Sequence, residues 1–121
     1  MLPAAREAWF AQAANLGNAS SLHASGRATR RVVEESRESM AAQLGVRPSA
    51  IVFTSGGTEA DNLAVKGLFW ARRESSGASR ILASAIEHHA VLDPVEWLAS
   101  HQGADARWLR IDHVGRLRID D

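Results

Sequence analysis

The sequence predicts an α/β fold, a partial three-layer sandwich in which helices cover both faces of a largely parallel sheet. Two observations predict it. From residue 51 onward, short apolar runs alternate with helical patterns in the order strand, helix, strand, helix, strand, the order that right-handed crossovers between parallel strands produce. Glycine or proline also stands at most of the junctions, as at Gly45, Pro48, Gly56, Gly57, Gly77 and Gly103, where chain direction has to change.

The elements follow in order. Residues 3–14 read as a short helix, with Pro3 suited to the first helical position and Ala5, Trp9 and Ala13 at helical spacing. A small, polar loop follows over residues 15–26, either a plain connector or a site-forming loop. Residues 27–44 carry the clearest helical period, through Ala28, Val32, Val33, Ser36, Met40, Ala41 and Leu44. Arg30, Arg31, Glu34, Glu35, Arg37 and Glu38 form its solvated face, with ion pairs worth about 0.3 kcal/mol each. Gly45 fits a left-handed stop and Pro48 prevents resumption. Ile51-Val52-Phe53-Thr54 reads as a buried strand. Thr58 to about Arg73 reads as a helix whose stripe of Ala60, Ala64, Gly67 and Ala71 suits close packing on a sheet. Residues 80–85 form a second strand. Asp93 can cap a helix with Pro94 in its first position and Glu96 reaching back, running to about His101. Residues 106–111 form a third strand, Asp112–Gly115 a turn, and residues 116–119 a short extension.

Length and composition narrow the function classes. The chain has 121 residues, room for one ordinary domain with a real core. Fourteen basic residues balance fourteen acidic ones, which argues against a nucleic-acid surface. Lys66 is the only lysine and there is no cysteine, so these residues hold no disulfide, thiolate metal site or cysteine nucleophile. No apolar run approaches a membrane span, and no signal peptide opens the chain. A cytoplasmic protein with no membrane partner is the expectation.

The strongest local signal is Phe53-Thr54-Ser55-Gly56-Gly57-Thr58-Glu59. A strand ends, two glycines turn the chain, and a helix begins with free N–H groups at the positive end of its dipole. That arrangement suits a phosphate monoester. The plain alternative is a capped helix, with Thr58 as cap and Glu59 and Asp61 complementing the dipole. No Gly-Lys-Ser/Thr ending and no G-x-G-x-x-G is present, which excludes the nucleoside-triphosphate and dinucleotide loops. The second signal, Glu87-His88-His89, falls after the second strand at the same carboxyl edge. Adjacent histidines diverge and do not share a metal, so no metal site is expected. His88 reads either as a ring that stacks on a flat ligand and moves protons, or as a capping or surface histidine. Lys66 lies about 12 Å along the helix from Thr58 and reads as a surface lysine. The four tryptophans, Trp9, Trp70, Trp97 and Trp108, read as packing residues.

Residues 18–26 (Asn-Ala-Ser-Ser-Leu-His-Ala-Ser-Gly), 53–62 (Phe-Thr-Ser-Gly-Gly-Thr-Glu-Ala-Asp-Asn) and 87–93 (Glu-His-His-Ala-Val-Leu-Asp) together resemble the amino-terminal third of a cysteine desulfurase. These are pyridoxal-phosphate enzymes of aminotransferase class V and fold type I, and the resemblance runs along nearly the whole chain. It implies residues 1–15 as an amino-terminal arm and residues 16–121 as an incomplete part of the cofactor-binding large domain. It implies that Gly57 and Thr58 bind the phosphate of pyridoxal 5'-phosphate, and that His88 stacks on the pyridine ring and assists proton transfer. His23 lies in a loop that approaches the site in the family. Ala19 departs from the proline common in that loop.

The same resemblance implies the reaction, removal of sulfur from L-cysteine to give L-alanine and an enzyme persulfide for iron–sulfur cluster or thio-modification pathways. It implies a homodimer with sulfur-acceptor or scaffold proteins as partners. The family's Schiff-base lysine and catalytic cysteine lie downstream of residues like these, in a chain about three times as long, so the expectation is a fragment without activity of its own. The alternatives are a stand-alone phosphate-binding βαβ module and a non-functional gene remnant.

Overall fold

The computed structural model describes residues 1–15 and 17–118. They form two units, Met1–Phe53 and Thr54–Asp121.

In the first unit, helix α1 spans Pro3–Ala13 with proline in its first turn and no buried residue. Trp9 and Phe10 meet edge-on at 5.1 Å and both stay exposed. Helix α2 spans Ala24–Leu44, starting three residues before the expected Arg27. The extended backbone of His23 allows this, because its carbonyl accepts the Arg27 N–H at 2.9 Å. Gly45 ends α2 at φ 66°, a left-handed conformation that only glycine enters without a Cβ penalty. A single 3-10 turn follows at Pro48–Ala50.

The strand expected over residues 51–54 does not form. Ile51 is extended, but no strand among the described residues pairs with this segment. Its environment gives the reason. The Arg37 guanidinium donates to the Ile51 carbonyl and lies 5.0 Å over the Phe53 ring, so α2 and not a sheet neighbour holds the segment. Arg37 also pairs with Glu34 at 3.1 Å, one of the expected ion pairs. Apolar, β-branched residues favour extended backbone, but a strand also needs a partner for its N–H and C=O groups.

In the second unit, helix α3 spans Gly57–Ser76 and ends on Gly77 at φ 70°. Strand β1 spans Arg80–Ser84, helix α4 spans His89–Gln102, and strand β2 spans Asp105–Leu109. β1 and β2 are parallel, in register from Arg80↔Asp105 to Ser84↔Leu109. At the head of the register, Asp105 takes Arg80 at 3.1 Å and Arg107 at 2.7 Å. The Arg80 hydrogen bond, then that from Arg107, holds the Asp105 carboxyl below its ordinary pKa. Ile111 leaves the sheet and bridges antiparallel to Leu117 instead. The expected turn joins them, with Asp112 Oδ1 accepting from the Val114 and Arg116 N–H groups. The Ile119 end of the expected extension lies outside the described residues.

Helix α4 begins five residues earlier than Asp93 and Pro94 indicate. His88, not Asp93, is its cap, and Pro94 sits inside the helix. Proline removes one i→i−4 hydrogen bond there, and burial of its ring offsets that loss, since Pro94, Val95 and Leu98 are the most deeply buried large side chains. Around them, Ala90 of α4, Phe69 of α3 and Ala83 of β1 complete a small core. That core is less than the chain length allows. Leu82 remains 61% exposed, so the sheet is not covered on both faces. All four tryptophans are exposed or nearly so, and none fills the core. The small-residue stripe of α3 is likewise open, because a Cβ added at Gly67 meets no atom within 4 Å.

Candidate functional site

The amino-terminal end of α3 presents the first part of the site. Gly56 is the cap residue, and no side chain caps the helix. Thr58 is the second helical residue, so it does not cap, contrary to the plainer of the two sequence readings. Glu59 instead reaches back outside the helix. Its Oε2 accepts from the Ser55 N–H at 2.7 Å and the Ser55 hydroxyl at 2.6 Å. These two bonds, the hydroxyl first, hold the Glu59 carboxyl below its ordinary pKa. The Gly57 and Thr58 N–H groups keep no acceptor among the described residues, as the first amides of an uncapped helix do.

The glycines serve access here and not a tight turn. Gly56 is extended at φ 169°, and neither Gly56 nor Gly57 has a positive φ. A Cβ added at either would meet no protein atom within 4 Å. Open space thus lies in front of unpaired amides, beside the Thr58 hydroxyl and at the positive end of a 20-residue helix. Neutral N–H and O–H donors at the start of a helix suit the phosphate of a monoester.

His88 forms the second part. It caps α4 with its ring, Nδ1 accepting the Ala90 N–H at 3.0 Å. Its carbonyl accepts from the Val91 and Leu92 N–H groups at 2.8 and 3.1 Å. The capping reading of His88 is therefore correct, and it leaves the rest of the ring exposed for a ligand. His89 turns aside, with its ring 6.5 Å from that of His88 and its Nδ1 3.1 Å from Asp93 Oδ1.

Two contacts bring these parts to one end of the unit. The Arg73 guanidinium donates to the Gln102 carbonyl, and Lys66 Nζ stands 4.7 Å over the Trp97 ring. At about 1.5 Å per residue, Arg73 and Lys66 lie about 24 and 14 Å from the start of α3. On the same rise, Gln102 and Trp97 lie about 20 and 12 Å from the start of α4. The helices therefore run parallel, nearly in step, and their amino-terminal ends with Gly57, Thr58 and His88 face the same way. Lys66 sits half-buried on the helix pair, held by Trp97, which stacks in turn on His101 at 5.2 Å.

His23 belongs to the first unit, where it caps α2 through its backbone without a side-chain bond. Its loop is pinned at Gly26, the last residue of the 18–26 motif, and at Gly17, which motif reading passed over. A Cβ on Gly26 would stand 2.6 Å from both the Asn18 and Ser21 carbonyl oxygens, and one on Gly17 would stand 2.3 Å from Thr29 Oγ1. The signal of Gly17 in the sequence is only that it precedes a run of turn-forming residues. Among the described residues no group of three or more His, Asp or Glu side chains is placed to hold a metal, and no helix is long and apolar enough to cross a membrane.

Comparison with known proteins follows the same geometry. The family described as Aminotransferase class-V matches residues 4–121. The chain is 57% identical over 110 residues to an IscS-like cysteine desulfurase of Mycobacterium tuberculosis, covering 90% of this chain and 28% of that protein. It is 43% identical to the cysteine desulfurase IscS of Dictyoglomus turgidum, covering 87% of this chain and 26% of that one. Among solved structures, SspA in complex with cysteine superposes with a TM-score of 0.76 at 31% identity, over 93% of this chain and 32% of that chain. A NifS-like protein superposes with a TM-score of 0.77 at 29% identity, over 93% of this chain and 30% of that one. The chain thus spans between a quarter and a third of the length of these relatives, and its α/β arrangement superposes on part of the two solved chains.

Proposed function

The chain belongs to the class-V aminotransferase family, and from that premise we propose that it is the amino-terminal, cofactor-binding part of a cysteine desulfurase. The observation that carries this reading is the 57% identity to a named cysteine desulfurase across nine-tenths of the chain. In this reading residues 1–15 are an amino-terminal arm and residues 16–121 part of the large domain. The partners are a second copy of the whole protein and a protein that accepts or scaffolds the sulfur, in the cytoplasm.

The open first turn of α3 supports pyridoxal 5'-phosphate as the cofactor. The Gly57 and Thr58 N–H groups and the Thr58 hydroxyl hold its phosphate. The exposed face of His88, at the same end of the parallel helix pair, lies against its ring. When bound, the cofactor supplies an electron sink for the carbanion of the amino acid. Glu59 stays bound to Ser55, which keeps the loop ahead of α3 in one shape while its charge is occupied outside the amide cluster. The substrate is L-cysteine, converted to L-alanine with its sulfur left as a persulfide. No cysteine is present in these 121 residues, and their one lysine stands over Trp97. Sulfur transfer and covalent attachment of the cofactor therefore fall to residues beyond them.

Two measurements test the reading. Pyridoxal phosphate, followed by equilibrium dialysis against the chain, binds about tenfold more weakly to the Thr58→Ala variant, the loss of one hydrogen bond to a charged group. Equal binding overturns the phosphate assignment. The chain with L-cysteine and the cofactor yields no L-alanine above the free-cofactor background. A longer open reading frame that continues past codon 121 yields L-alanine and persulfide sulfur in equal amounts. Alanine at enzyme-like turnover from the 121 residues alone, or none from the longer protein, overturns the reading.

A further inference from the structure

The bond that makes His88 a cap also decides what its ring can do. A backbone N–H only donates, so the Nδ1 that receives the Ala90 N–H at 3.0 Å carries a lone pair and no hydrogen. In a neutral ring the hydrogen then sits on Nε2. The opposite tautomer, or the doubly protonated ring, would set Nδ1–H against the Ala90 N–H and uncap α4. No carboxylate among the described residues bonds the His88 ring to favour that charge. The nearest ring, His89, stands edge-on at 6.5 Å, and Asp93 is engaged with His89.

We propose that α4 locks His88 as the Nε2–H tautomer, with the Ala90 N–H as the positioning group, so that His88 presents its ligand with a fixed hydrogen-bond donor at Nε2. Accepting a proton at Nε2 requires that Nδ1 already hold one. Releasing a proton from Nε2 leaves an anionic ring unless Nδ1 gains one. Either transfer therefore requires the α4 cap to open first, which couples any proton movement at His88 to the Ala90 hydrogen bond. The proposal rests on the cofactor reading only for the identity of the ligand; the tautomer rests on the cap geometry alone.

The test is a nitrogen–proton correlation spectrum of the imidazole rings in the uniformly 15N-labelled chain, with the His88 signals assigned by their loss in His88→Asn. A single species with a protonated Nε2 and a bare Nδ1 is expected; an Nδ1–H ring or a mixture of tautomers overturns the proposal. Exchange of the Ala90 amide hydrogen gives the second readout. It is expected to be as slow in His88→Asn, which keeps an N-cap acceptor, as in the parent. In His88→Phe, which keeps an aromatic face and loses the acceptor, it is expected to be about fivefold faster, the equivalent of a typical cap. Equal exchange in all three overturns the proposal. Inorganic phosphate titrated against the Gly57 and Thr58 amides is read separately: silence there sinks the cofactor reading and leaves the tautomer result as it stands.

Discussion

Glycine-to-alanine changes at positions 26 and 67 move stability in opposite directions, although both residues lie in helices. At Gly26 the new methyl lies 2.6 Å from two backbone carbonyl oxygens, Asn18 and Ser21, and 2.7 Å from Ser21 Cβ. Ordinary contact begins near 3.4 Å, so each carbonyl has to retreat by about 0.8 Å. The Asn18 carbonyl also accepts the Ser21 N–H at 2.9 Å, and the retreat strains that turn. Overpacking of this kind costs about 3 kcal/mol at its upper end, against which alanine regains about 1 kcal/mol of helix propensity. The net is a loss of about 2 kcal/mol. At Gly67 nothing lies within 4 Å of the new methyl, so only the propensity gain remains, about 1 kcal/mol. Urea unfolding followed by circular dichroism reads both, as a lowered midpoint for Gly26→Ala and a raised one for Gly67→Ala at unchanged slope. A Gly26→Ala chain as stable as the parent refutes the reasoning, because the 18–21 loop would then not be seated on Gly26.

Three further outcomes follow from other contacts. Leu98 is completely buried at the centre of the small core, so Leu98→Ala lowers stability by about 3 kcal/mol or unfolds the second unit, and a loss under about 1 kcal/mol in the urea midpoint refutes its central place. Glu59 has a folded-state pKa below its ordinary value because of Ser55. Its contribution is therefore present above the unfolded pKa and fades as pH falls through the folded one. Ser55→Ala returns the carboxyl toward 4.5 in a carbon-detected titration, and an unmoved Glu59 curve contradicts the assignment. The Lys66–Trp97 contact is worth about 0.5 kcal/mol in a double-mutant cycle of Lys66→Met with Trp97→Leu; zero coupling means the two side chains do not hold each other.

Local chemistry made most of the helices legible. Pro3, Gly45, Gly77 and Gly103 stop or start helices through constraints that act on one or two residues, and the structure places each where those constraints direct. That α3 begins just after the Gly56–Gly57 pair was legible for the same reason, since a helix start is a local arrangement. Pro94 misled because its suitability for a first turn is local as well, whereas its actual place inside α4 depends on burying its ring with Val95 and Leu98.

Pairing and packing were settled elsewhere. Ile51-Val52-Phe53 has the composition of a strand, but composition cannot supply a neighbour, and the segment lies along Arg37 of α2 instead. Lys66 reads as a surface residue until Trp97 arrives beneath it. Gly26 reads as the last residue of a loop, and only the structure shows it inside α2 with the Asn18 and Ser21 carbonyls closed over it. By itself, then, the sequence determined where the chain turns, which turn offers bare amides, which histidine follows β1, and the family to which the chain belongs. Tertiary structure alone decided which strands pair and which apolar residues are covered. The physical reason is range. Dihedral preferences and caps act within a few residues, whereas strand pairing and burial depend on groups that only folding brings near.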